Sequence, residues 1–298
     1  MLDYPALAAV AAVVQEGSFE RAARALNVTP SAVSQRVKLL EERLGTVLIA
    51  RGQPCTATEA GRLLCRHVER VGMLEHDLRD ALPQVARETA SDARTTLRIA
   101  VNADTLATWF VTAMAQFTRN ESALLDIALD DQEHTVEWLR TGQVLAAVTS
   151  HAQAVQGCNS VSLGKLRYLA VASPQFVKRH FNAGVDATSL SRAPSLRFNP
   201  KDRLQAVWMR RLCRREIQAP AHWLPSTQAF VDAAIAGVGW AMNPASLIRP
   251  HLKSGALVEL VADRPLLVPL YWQHTRLQVP MLDRLTQAVT AAARSGLP

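Results

Sequence analysis

The sequence has few cysteines and no long apolar run, and both absences exclude classes of protein. The four cysteines are Cys55, Cys65, Cys158 and Cys213. They form no CxxC pair and have no histidines at ligand spacing, which favours reduced thiols over a disulfide framework or a metal site. The N-terminus has no basic segment followed by an apolar run, and no stretch approaches the roughly 18 uninterrupted apolar residues of a membrane span. We therefore expect a cytoplasmic protein with no membrane contact, no metal and no other cofactor.

Motifs of the common enzyme classes are also missing. No GxSxG, HExxH, P-loop or GxGxxG stands between a predicted strand and a predicted helix, and the eight histidines form no ligand-spaced cluster. We expect no catalytic residues, and an enzyme is kept only as a distant alternative.

The net charge of +7 is unevenly distributed over the 298 residues. Residues 1–90 contain 11 Lys/Arg and 11 Asp/Glu, so residues 91–298, with 22 against 15, carry the whole excess. Bulk charge therefore does not identify a nucleic-acid-binding half. Residues 18–66, however, contain eight basic and four acidic side chains, which leaves a local basic excess. The hydrophobic fraction of 49% is sufficient for two or more cores, which predicts more than one domain.

Apolar spacing and capping residues in the first 45 positions predict three helices. The first runs from about Pro5 to Gln15. Ser18 is a suitable N-cap for the second helix, and Thr29 is one for the third, in which Pro30 takes the first position, where a missing N–H costs nothing. Gly45 ends the third helix. The connection between the second and third helices is so short that they must cross at an angle, as in a helix-turn-helix.

The outer face of the third helix carries short or flexible hydrogen-bonding side chains, namely Ser31, Ser34, Gln35 and Lys38. Such side chains can reach base edges and phosphates in the major groove of DNA. Residues 48–58 then predict a short two-stranded wing, in which Arg51 is placed to meet a phosphate. The alternative is a small helical bundle with a polar outer face, which composition alone does not exclude.

This N-terminal segment resembles the LysR-type transcriptional regulators. The resemblance is carried by Gly17-Ser18-Phe19, Ala22-Ala23, Leu26, Pro30-Ser31-Ala32-Val33-Ser34, Leu40-Glu41, Leu44-Gly45, Leu48, Arg51 and Thr58-Glu59-Ala60-Gly61. It implies a winged helix-turn-helix whose third helix enters the major groove of double-stranded DNA. The DNA contacts expected on this basis come from Ser18, Arg21, Thr29, Pro30, Ser31, Ser34, Gln35, Lys38 and Arg51.

A long helix is predicted from Thr58, a suitable N-cap, to about Leu82, because Pro83 follows. Its apolar residues lie three or four positions apart and form a narrow seam: Leu64, Val68, Val71, Leu74, Leu78 and Leu82. We expect the same helix of a second chain to cover this seam, and the resulting dimer would read an approximately palindromic operator. The alternative is an intramolecular helix that covers the C-terminal domain. The resemblance favours the dimer and suggests a tetramer, with RNA polymerase as a further candidate partner.

The C-terminal part alternates between strand and helix patterns, which is typical of a parallel sheet with helical crossovers. Strands are predicted near Leu97–Val101, Leu124–Leu129, Val144–Thr149, Leu166–Ser173, Ser195–Phe198, His222–Leu224, Gly239–Met242 and Leu266–Trp272. Helices are predicted near Leu106–Phe117, Val136–Thr141, Pro174–His180, Leu204–Arg215, Thr227–Ala236 and Met281–Arg294. The polar segment from Gln84 to Thr96 lacks such a pattern and predicts a hinge before the domain.

The domain organisation follows from these patterns together with the resemblance. We predict a winged helix-turn-helix domain over residues 1–58, a linker helix with hinge over 59–90 and an effector-binding domain over 91–298. For this last domain the resemblance implies two α/β lobes like those of periplasmic binding proteins. Lobe I comprises about 91–165 and 266–298, and lobe II about 166–265.

Polar residues follow several predicted strands and define a candidate ligand site. Ligands of open α/β sheets bind at the carboxyl ends of the strands, where helix N-termini also favour a carboxylate. The candidates are Asn102, Asp104, Thr105, Thr149, Ser150, Asn199, Asp202, Ser226 and Thr227. A hydroxyl at such a position is often only a helix cap, but the convergence of so many favours a shared site.

The sensor domain is similar to that of the ArgP/LysG branch of the family through Val101–Trp109, Gln228–Val231 and Leu270–Trp272. This similarity implies an activator of an amino-acid exporter gene with lysine or arginine as effector. A cationic amino acid needs buried acids for its positive groups. The available acids are Asp104, Asp131, Glu133 and Asp202, of which Asp104 is the first choice. For Asp131 and Glu133 a solvated loop is an equally good interpretation.

Two further features have alternative interpretations. The cluster Arg210, Arg211, Arg214 and Arg215 predicts a solvated helix face, with a contact to bent DNA or a neighbouring subunit as the minor alternative. Oxidation of Cys158 or Cys213, in place of an amino-acid effector, is the alternative signal for a regulator of this kind.

Overall fold

A computed structural model describes residues 2–82, 95–129 and 135–297. Residues 84–94 of the predicted hinge lie outside the described residues, and so do the candidate acids Asp131 and Glu133. No helix within the described ranges combines the length and the apolar character needed to cross a membrane.

The N-terminal domain consists of three helices and a two-stranded wing. The helices are α1 (Tyr4–Glu16), α2 (Phe19–Ala25) and α3 (Pro30–Leu44), and the wing pairs β1 (Ile49–Ala50) antiparallel with β2 (Thr56–Ala57). The three predicted helices and the wing are confirmed, with small shifts at their ends.

The capping residues act as predicted. Ser18 Oγ accepts a hydrogen bond from Arg21 N at 3.1 Å, and Thr29 Oγ1 accepts one from Ala32 N at 3.2 Å. Gly17 follows α1 with a φ of 67°, a left-handed conformation that glycine adopts without strain. With its ends fixed in this way, the bundle closes around a small core that contains Leu7, Val10, Val13, Val33, Val37, Leu40 and Leu48.

The long helix α4 (Glu59–Ala81) begins in direct contact with the wing. Thr58 Oγ1 accepts a hydrogen bond from Gly61 N at 3.1 Å and donates one to the carbonyl oxygen of Val47 at 2.7 Å. Gly61 lies so close to the carbonyl oxygen of Leu48 that an added Cβ would overlap it. The position of the wing therefore fixes the direction in which α4 leaves the domain.

α4 contacts different parts of the molecule along its length. Leu64 and Val68, which the sequence assigned to the dimer seam, pack against the N-terminal core, and the fully buried Met73 belongs to the core of the C-terminal domain. A leucine face is about half exposed and consists of Leu63, Leu74 and Leu78 on α4, with Leu82 directly after the helix. The intramolecular packing considered as the alternative is thus present, but it leaves this leucine face uncovered.

A group of charged side chains also joins α4 to the C-terminal domain. The Arg284 guanidinium donates to Asp77 Oδ1 at 3.2 Å and to Glu121 Oε2 at 3.1 Å, and His76 Nε2 lies 3.7 Å from Glu121 Oε2. The Glu121 side chain is only 4% exposed. Arg284 and Glu121 belong to the C-terminal domain and Asp77 to α4, so moving α4 would break these ion pairs and leave a buried charge uncompensated. The group therefore holds α4 in one position on the domain.

The first elements of the C-terminal domain form a parallel unit. In chain order they are β3 (Thr96–Val101), α5 (Ala103–Thr105, a π-helical turn over Leu106–Phe110, and Val111–Thr118), β4 (Leu124–Leu129), α6 (Thr135–Arg140) and β5 (Ala146–Thr149). β3 pairs in parallel with both β4 and β5. These elements and their parallel pairing confirm the prediction.

The second lobe lies between two long strands. The two long strands are β6 (Cys158–Ala172) and β11 (Leu266–Thr275). Between them, in chain order, lie α7 (Pro174–His180), α8 (Ala187–Arg192), β7 (Ser195–Arg197), α9 (Leu204–Cys213), β8 (Ala221–Trp223), α10 (Thr227–Ile235), β9 (Ala241–Pro244), α11 (Ala245–Lys253) and β10 (Val258–Glu259). The last helix, α12 (Pro280–Gly296), packs against α5 in the first lobe. The predictions missed α8, α11 and β10.

The main sheet is mixed, so the prediction of a parallel sheet is wrong at its centre. The strand order is β10-β6-β11-β5-β3-β4, and β9 also pairs with β6. β11 pairs antiparallel with both β5 and β6, because β6 and β11 carry the chain between the lobes in opposite directions. β6 begins at Cys158, whereas the sequence predicted a start near Leu166. The first half of the strand was missed because it mixes polar and apolar residues and lacks a continuous apolar run.

Glu69 provides a pH-dependent test of the packing of α4 against the C-terminal domain. Burial, opposed only in part by Arg98 and Arg66, raises the pKa of its carboxyl from 4.5 to about 7. Because the folded-state pKa lies above the unfolded value, the stabilising contribution of the neutral carboxyl is lost as pH rises from 4.5 through about 7. Glu69→Gln should therefore raise the Tm by about 4 °C or more at a pH near 8 and by much less at a pH near 5. Glu75→Gln, at an exposed position of the same helix, should show no such gain, and an equal gain for Glu69→Gln at both pH values would contradict the prediction.

Candidate functional site

The polar face of α3 is accessible at the surface of the N-terminal domain. Ser31, Gln35 and Lys38 are exposed and Ser34 is half-buried, and their spacing places all four opposite the buried side of the helix. Lys38 Nζ lies 3.7 Å from Glu42 Oε1, but the two side chains are 70% and 58% exposed. Such a pair is weak, so Lys38 can exchange it for another anion.

The beginnings of α3 and α2 add further donors to this surface. Thr29 caps α3, lies with its Oγ1 3.0 Å from Ser31 Oγ, and is exposed together with Pro30. Ser18 caps α2, and Arg21 is exposed in the first turn of that helix. Helix N-termini carry a partial positive charge and therefore favour a phosphate or another acceptor.

The wing is held against α3 by a carboxylate whose role the sequence did not predict. Glu41 Oε1 accepts hydrogen bonds from Leu48 N at 2.7 Å and from Ile49 N at 3.2 Å. Arg51 follows β1 and is exposed, with its guanidinium carbon 5.5 Å from the centroid of the Phe19 ring. Glu41 thus positions the wing, and Phe19 positions the predicted phosphate contact.

A cavity of about 310 Å³ lies between the two lobes of the C-terminal domain. Six of the predicted polar residues line it: Asn102, Asp104, Ser150, Asn199, Asp202 and Thr227. They follow β3, β5 and β7 or stand in the first turn of α10. The strand ends therefore converge on one space, as expected for a ligand site in such a fold.

Asp104 connects the two lobes across this cavity. Its Oδ2 accepts a hydrogen bond from Tyr168 Oη and its Oδ1 accepts one from Thr227 Oγ1, both at 2.8 Å. Burial raises the pKa of Asp104, the two hydroxyl hydrogen bonds oppose this shift, and the charge of Asp202 adds to it. Burial thus opposes the charged form of the Asp104 carboxyl, while the hydroxyls of Tyr168 and Thr227 stabilise it.

Asn199 and Asp202 shape the turn that precedes α9. Asp202 Oδ2 accepts a hydrogen bond from Phe198 N, and its Oδ1 accepts one from Leu204 N, both at 3.0 Å. Asn199 Oδ1 accepts one from Asp202 N, also at 3.0 Å. Both side chains stabilise the local backbone while they line the cavity.

Three of the predicted residues are not among those that line the cavity. Ser226 Oγ accepts a hydrogen bond from Ala229 N at 3.3 Å and caps α10. Thr149 is fully buried, and its Oγ1 accepts a hydrogen bond from His151 N at 3.2 Å. Thr105 is also fully buried. Their predicted contact with a ligand stays a prediction.

Asn102 carries a donor that is not used within the described ranges. Its Oδ1 accepts a hydrogen bond from Thr105 N at 2.7 Å, whereas its buried Nδ2 has no hydrogen-bond partner there. A buried donor without an acceptor is costly in free energy. A ligand that brings an acceptor oxygen into the cavity would relieve this cost.

Several lining residues were missed by the sequence reasoning. They include Phe198, Lys201, Arg203, Arg211, Phe230, Met242 and the first residues of β11. All four arginines of the cluster Arg210, Arg211, Arg214 and Arg215 are exposed, as predicted for a solvated face, and Arg211 in addition lines the cavity. The spacing of Leu204, Val207 and Arg211 places them on one side of α9, and that pattern is the signal that could have identified Arg211.

The cysteines offer little support for a redox signal. Burial raises the pKa of both Cys158 and Cys213. Because the thiolate is the reactive form, these environments oppose oxidation. In the part of the chain that the structure describes, no group of three or more His, Cys, Asp or Glu residues is placed to hold a metal ion.

Known proteins are similar to this chain over its full length. LysG of Mycobacterium tuberculosis is 47% identical over 296 residues, which cover 99% of this chain and 95% of the relative. The crystal structure of ArgP from Mycobacterium tuberculosis is 45% identical, covers 100% of this chain and 99% of that chain, and has a TM-score of 0.80. Full-length LysG from Corynebacterium glutamicum with bound effector Arg is 37% identical, covers 99% of each chain, and has a TM-score of 0.70.

Two family models match consecutive parts of the chain. The model of the bacterial regulatory helix-turn-helix protein, lysR family, matches residues 5–62, and the LysR substrate binding domain matches residues 90–294. The matched relatives are named as transcriptional regulators and not as enzymes, so the enzyme alternative is set aside. With the helix-turn-helix, the wing and the two-lobed domain in their expected order, this chain belongs to the LysR family of transcriptional regulators.

Proposed function

We propose that this chain is a cytoplasmic DNA-binding regulator of the ArgP/LysG type whose effector is a basic amino acid, arginine or lysine. The observation that carries the proposal is the interlobe cavity, which combines acids with an amide donor, Asn102 Nδ2, that has no hydrogen-bond partner among the described residues. Support also comes from the full-length similarity to a LysG that has Arg bound. In response to its effector, the protein activates the gene of an amino-acid exporter.

The cavity has groups for both ends of a basic amino acid. Asp104 and Asp202 supply negative charge for an ammonium or guanidinium group, and Asn102 Nδ2 and Lys201 supply donors for a carboxylate. A volume of about 310 Å³ lies at the lower end of the range for small-molecule sites. These features favour a single small zwitterion with an additional positive charge.

We propose that α3 enters the major groove of double-stranded DNA. The contacts from α3 and its cap come from Thr29, Pro30, Ser31, Ser34, Gln35 and Lys38. Ser18, Arg21 and Arg51 contact the phosphate backbone beside them. Support comes from the exposure of this face and from the anchoring of the wing by Glu41.

We propose that two copies of the chain associate through the leucine face of α4. This face is apolar, and no other part of the described chain covers it. A two-fold pair would present two copies of α3 to one side of the DNA, which requires an approximately palindromic operator. A tetramer and a contact with RNA polymerase are further expectations that rest on the family alone.

Arginine or lysine should raise the Tm of the full-length protein. A ligand that binds only the folded state stabilises it by mass action, by about 2.7 kcal/mol at a concentration of about 100 Kd. Thermal unfolding with each amino acid measures the effect, and citrulline and norleucine serve as neutral controls of matched size. If only an aromatic or acidic compound raises the Tm, the proposed effector class is wrong.

Lys38→Ala and Arg51→Ala should each weaken binding to operator DNA and flatten its salt dependence. Loss of one phosphate contact reduces the slope of log K against log salt concentration by about one unit. Fluorescence anisotropy at several salt concentrations measures the slope. Lys178→Ala, at an exposed position of α7, is the control and should leave it unchanged. Unchanged DNA affinity in both test variants would contradict the assignment of α3 and the wing.

Leu74→Glu with Leu78→Glu should convert the dimer to monomers. Two acidic side chains on this face of each helix would bring like charges together where apolar side chains would otherwise pack. Sedimentation velocity at low micromolar concentration measures the change. Val238→Glu, at an exposed apolar position of lobe II, should leave the dimer intact. A dimer that persists in the double variant would place the interface elsewhere.

A further inference from the structure

A second cavity, with a volume of about 400 Å³, lies beside α9 in lobe II. Arg203, Val207 and Arg210 line it from the start of α9 and from one side of that helix. Residues 216–219, which follow the helix, form another part of its wall, and Arg197 at the end of β7 completes it. The volume is within the range for a small organic ligand. We call this space the arginine cavity.

Hydrogen bonds fix the wall of the arginine cavity that follows α9. The carbonyl oxygen of Pro220 accepts a hydrogen bond from Ser195 N at 2.8 Å and another from Ser195 Oγ at 3.1 Å. Ser195 begins β7, which pairs in parallel with β8 and places Arg197 beside Trp223. The segment 216–219 is therefore held in a defined position relative to the Arg197 side of the cavity.

The side chains around the arginine cavity carry an excess of two positive charges. Arg197, Arg203 and Arg210 contribute three, and Glu216, the acid among the lining residues, offsets one of them. Within the described ranges none of these four residues takes part in an ion pair. Such a concentration of uncompensated charge of one sign in a concave site favours a ligand of the opposite sign.

Arg197 adds an observation that is independent of the charge count. Its guanidinium carbon lies 5.9 Å from the centroid of the Trp223 ring, a distance typical of a cation–π contact that orients the side chain. Its Nε is buried and has no hydrogen-bond partner within the described ranges. A buried donor without an acceptor is costly in free energy, and an oxygen atom of a ligand in the cavity would remove that cost.

We infer that the arginine cavity binds a small organic dianion whose charges are carried by carboxylate or phosphate groups. The planar fork of a guanidinium matches both groups, and two negative charges would balance the excess in the wall. The remaining lining residues, apart from Gln218, are apolar and provide a surface for a short hydrocarbon part: Ala206, Val207, Ile217 and Ala219. A small ligand is favoured over the phosphate backbone of DNA, because a duplex cannot enter a cavity of this size to reach the buried Nε of Arg197.

The inference goes beyond the proposed function, because it concerns a second site and a ligand of opposite charge to the basic effector. α9 separates the two sites, since Arg203 and Val207 line both cavities. Arg210 lines only the arginine cavity, and its neighbour Arg211 lines only the interlobe cavity. Arg215, shortly after the helix, lines neither. Substitutions of these three arginines therefore test the two sites separately.

Calorimetric titration of the full-length protein with glutarate and with glycerol phosphate tests the inference. At a pH of about 8 both compounds are dianions, and a constant ionic strength removes general screening effects. The wild-type protein should bind one of them or both, and acetate, a monoanion, should bind about tenfold or more weakly. The compound that binds more tightly distinguishes a dicarboxylate ligand from a phosphate ester.

Arg210→Gln should lower the affinity for the dianion by about tenfold or more, because it removes a charge-assisted hydrogen bond. Arg210 is exposed, so this variant should fold. Arg197→Gln should have an effect at least as large, and it serves as the second test. Arg215→Gln, which also removes one exposed positive charge, is the matched control and should bind the dianion as the wild type does.

Three outcomes would overturn the inference. The first is that the wild type binds neither dianion, and weaker operator binding by Arg210→Gln would then assign this arginine to DNA. The second is equal dianion affinity in the wild type and Arg210→Gln. The third is a loss of dianion affinity in Arg211→Gln with none in Arg210→Gln, which would place the anion in the interlobe cavity. A separate titration with arginine tests the proposed effector, so failure of one proposal is distinguishable from failure of the other.

Discussion

The arrangement of the molecule depends on one helix that has to satisfy three surfaces at once. α4 contributes Leu64 and Val68 to the DNA-binding domain, Met73 to the sensor domain, and a row of leucines to the outside. Leu64 and Val68 lie on the same seam as Leu74 and Leu78 but nearer the start of the helix, and Met73 lies on another side, so one helix can serve all three surfaces. The domains are therefore related through a single rigid element, and the face proposed to bind a second copy is not consumed by either of them.

The C-terminal domain uses its buried charges in two different ways. At the contact with α4, Arg284 bridges Asp77 and Glu121, so these charges are compensated within the chain. In the cavity, the partners of Asp104 are neutral hydroxyls. Compensated charges are typical of a structural contact, whereas an acid with a raised pKa in a cavity is typical of a functional site. The contrast separates the part of the domain that holds α4 from the part that we propose binds the effector.

Local signals predicted the N-terminal domain almost completely. Ser18, Thr29 and Pro30 fix the helix starts through interactions within three or four residues, so the sequence alone determines them. The role of Glu41 was not predicted, because its acceptor function depends on where the wing folds back. The antiparallel pairing of β6 with β11 was missed for the same reason, since it joins segments about a hundred residues apart and has no local signature.

The candidate ligand site shows a similar division. Asn102 and Asp104 were identified because they follow a buried strand, and the order of strands and helices brings such positions together. Ser226 has the same local pattern, but it caps α10 and is not among the residues that line the cavity, so the sequence alone does not distinguish the two kinds of position. Arg211 was missed because it stands close in sequence to Arg210, Arg214 and Arg215, and only the packing of α9 shows which arginine lines the cavity.

The close approach of Gly61 to the wing has a mechanical consequence. With no side chain between the first turn of α4 and the carbonyl of Leu48, there is no compressible layer at this joint. The 23 residues of α4 span about 35 Å. A tilt of α4 by about 5° about its C-terminal end would therefore displace the N-terminal domain by about 3 Å. In a dimer, a small change in the angle between the two α4 helices would thus change the distance between the two N-terminal domains enough to alter how both fit onto double-stranded DNA.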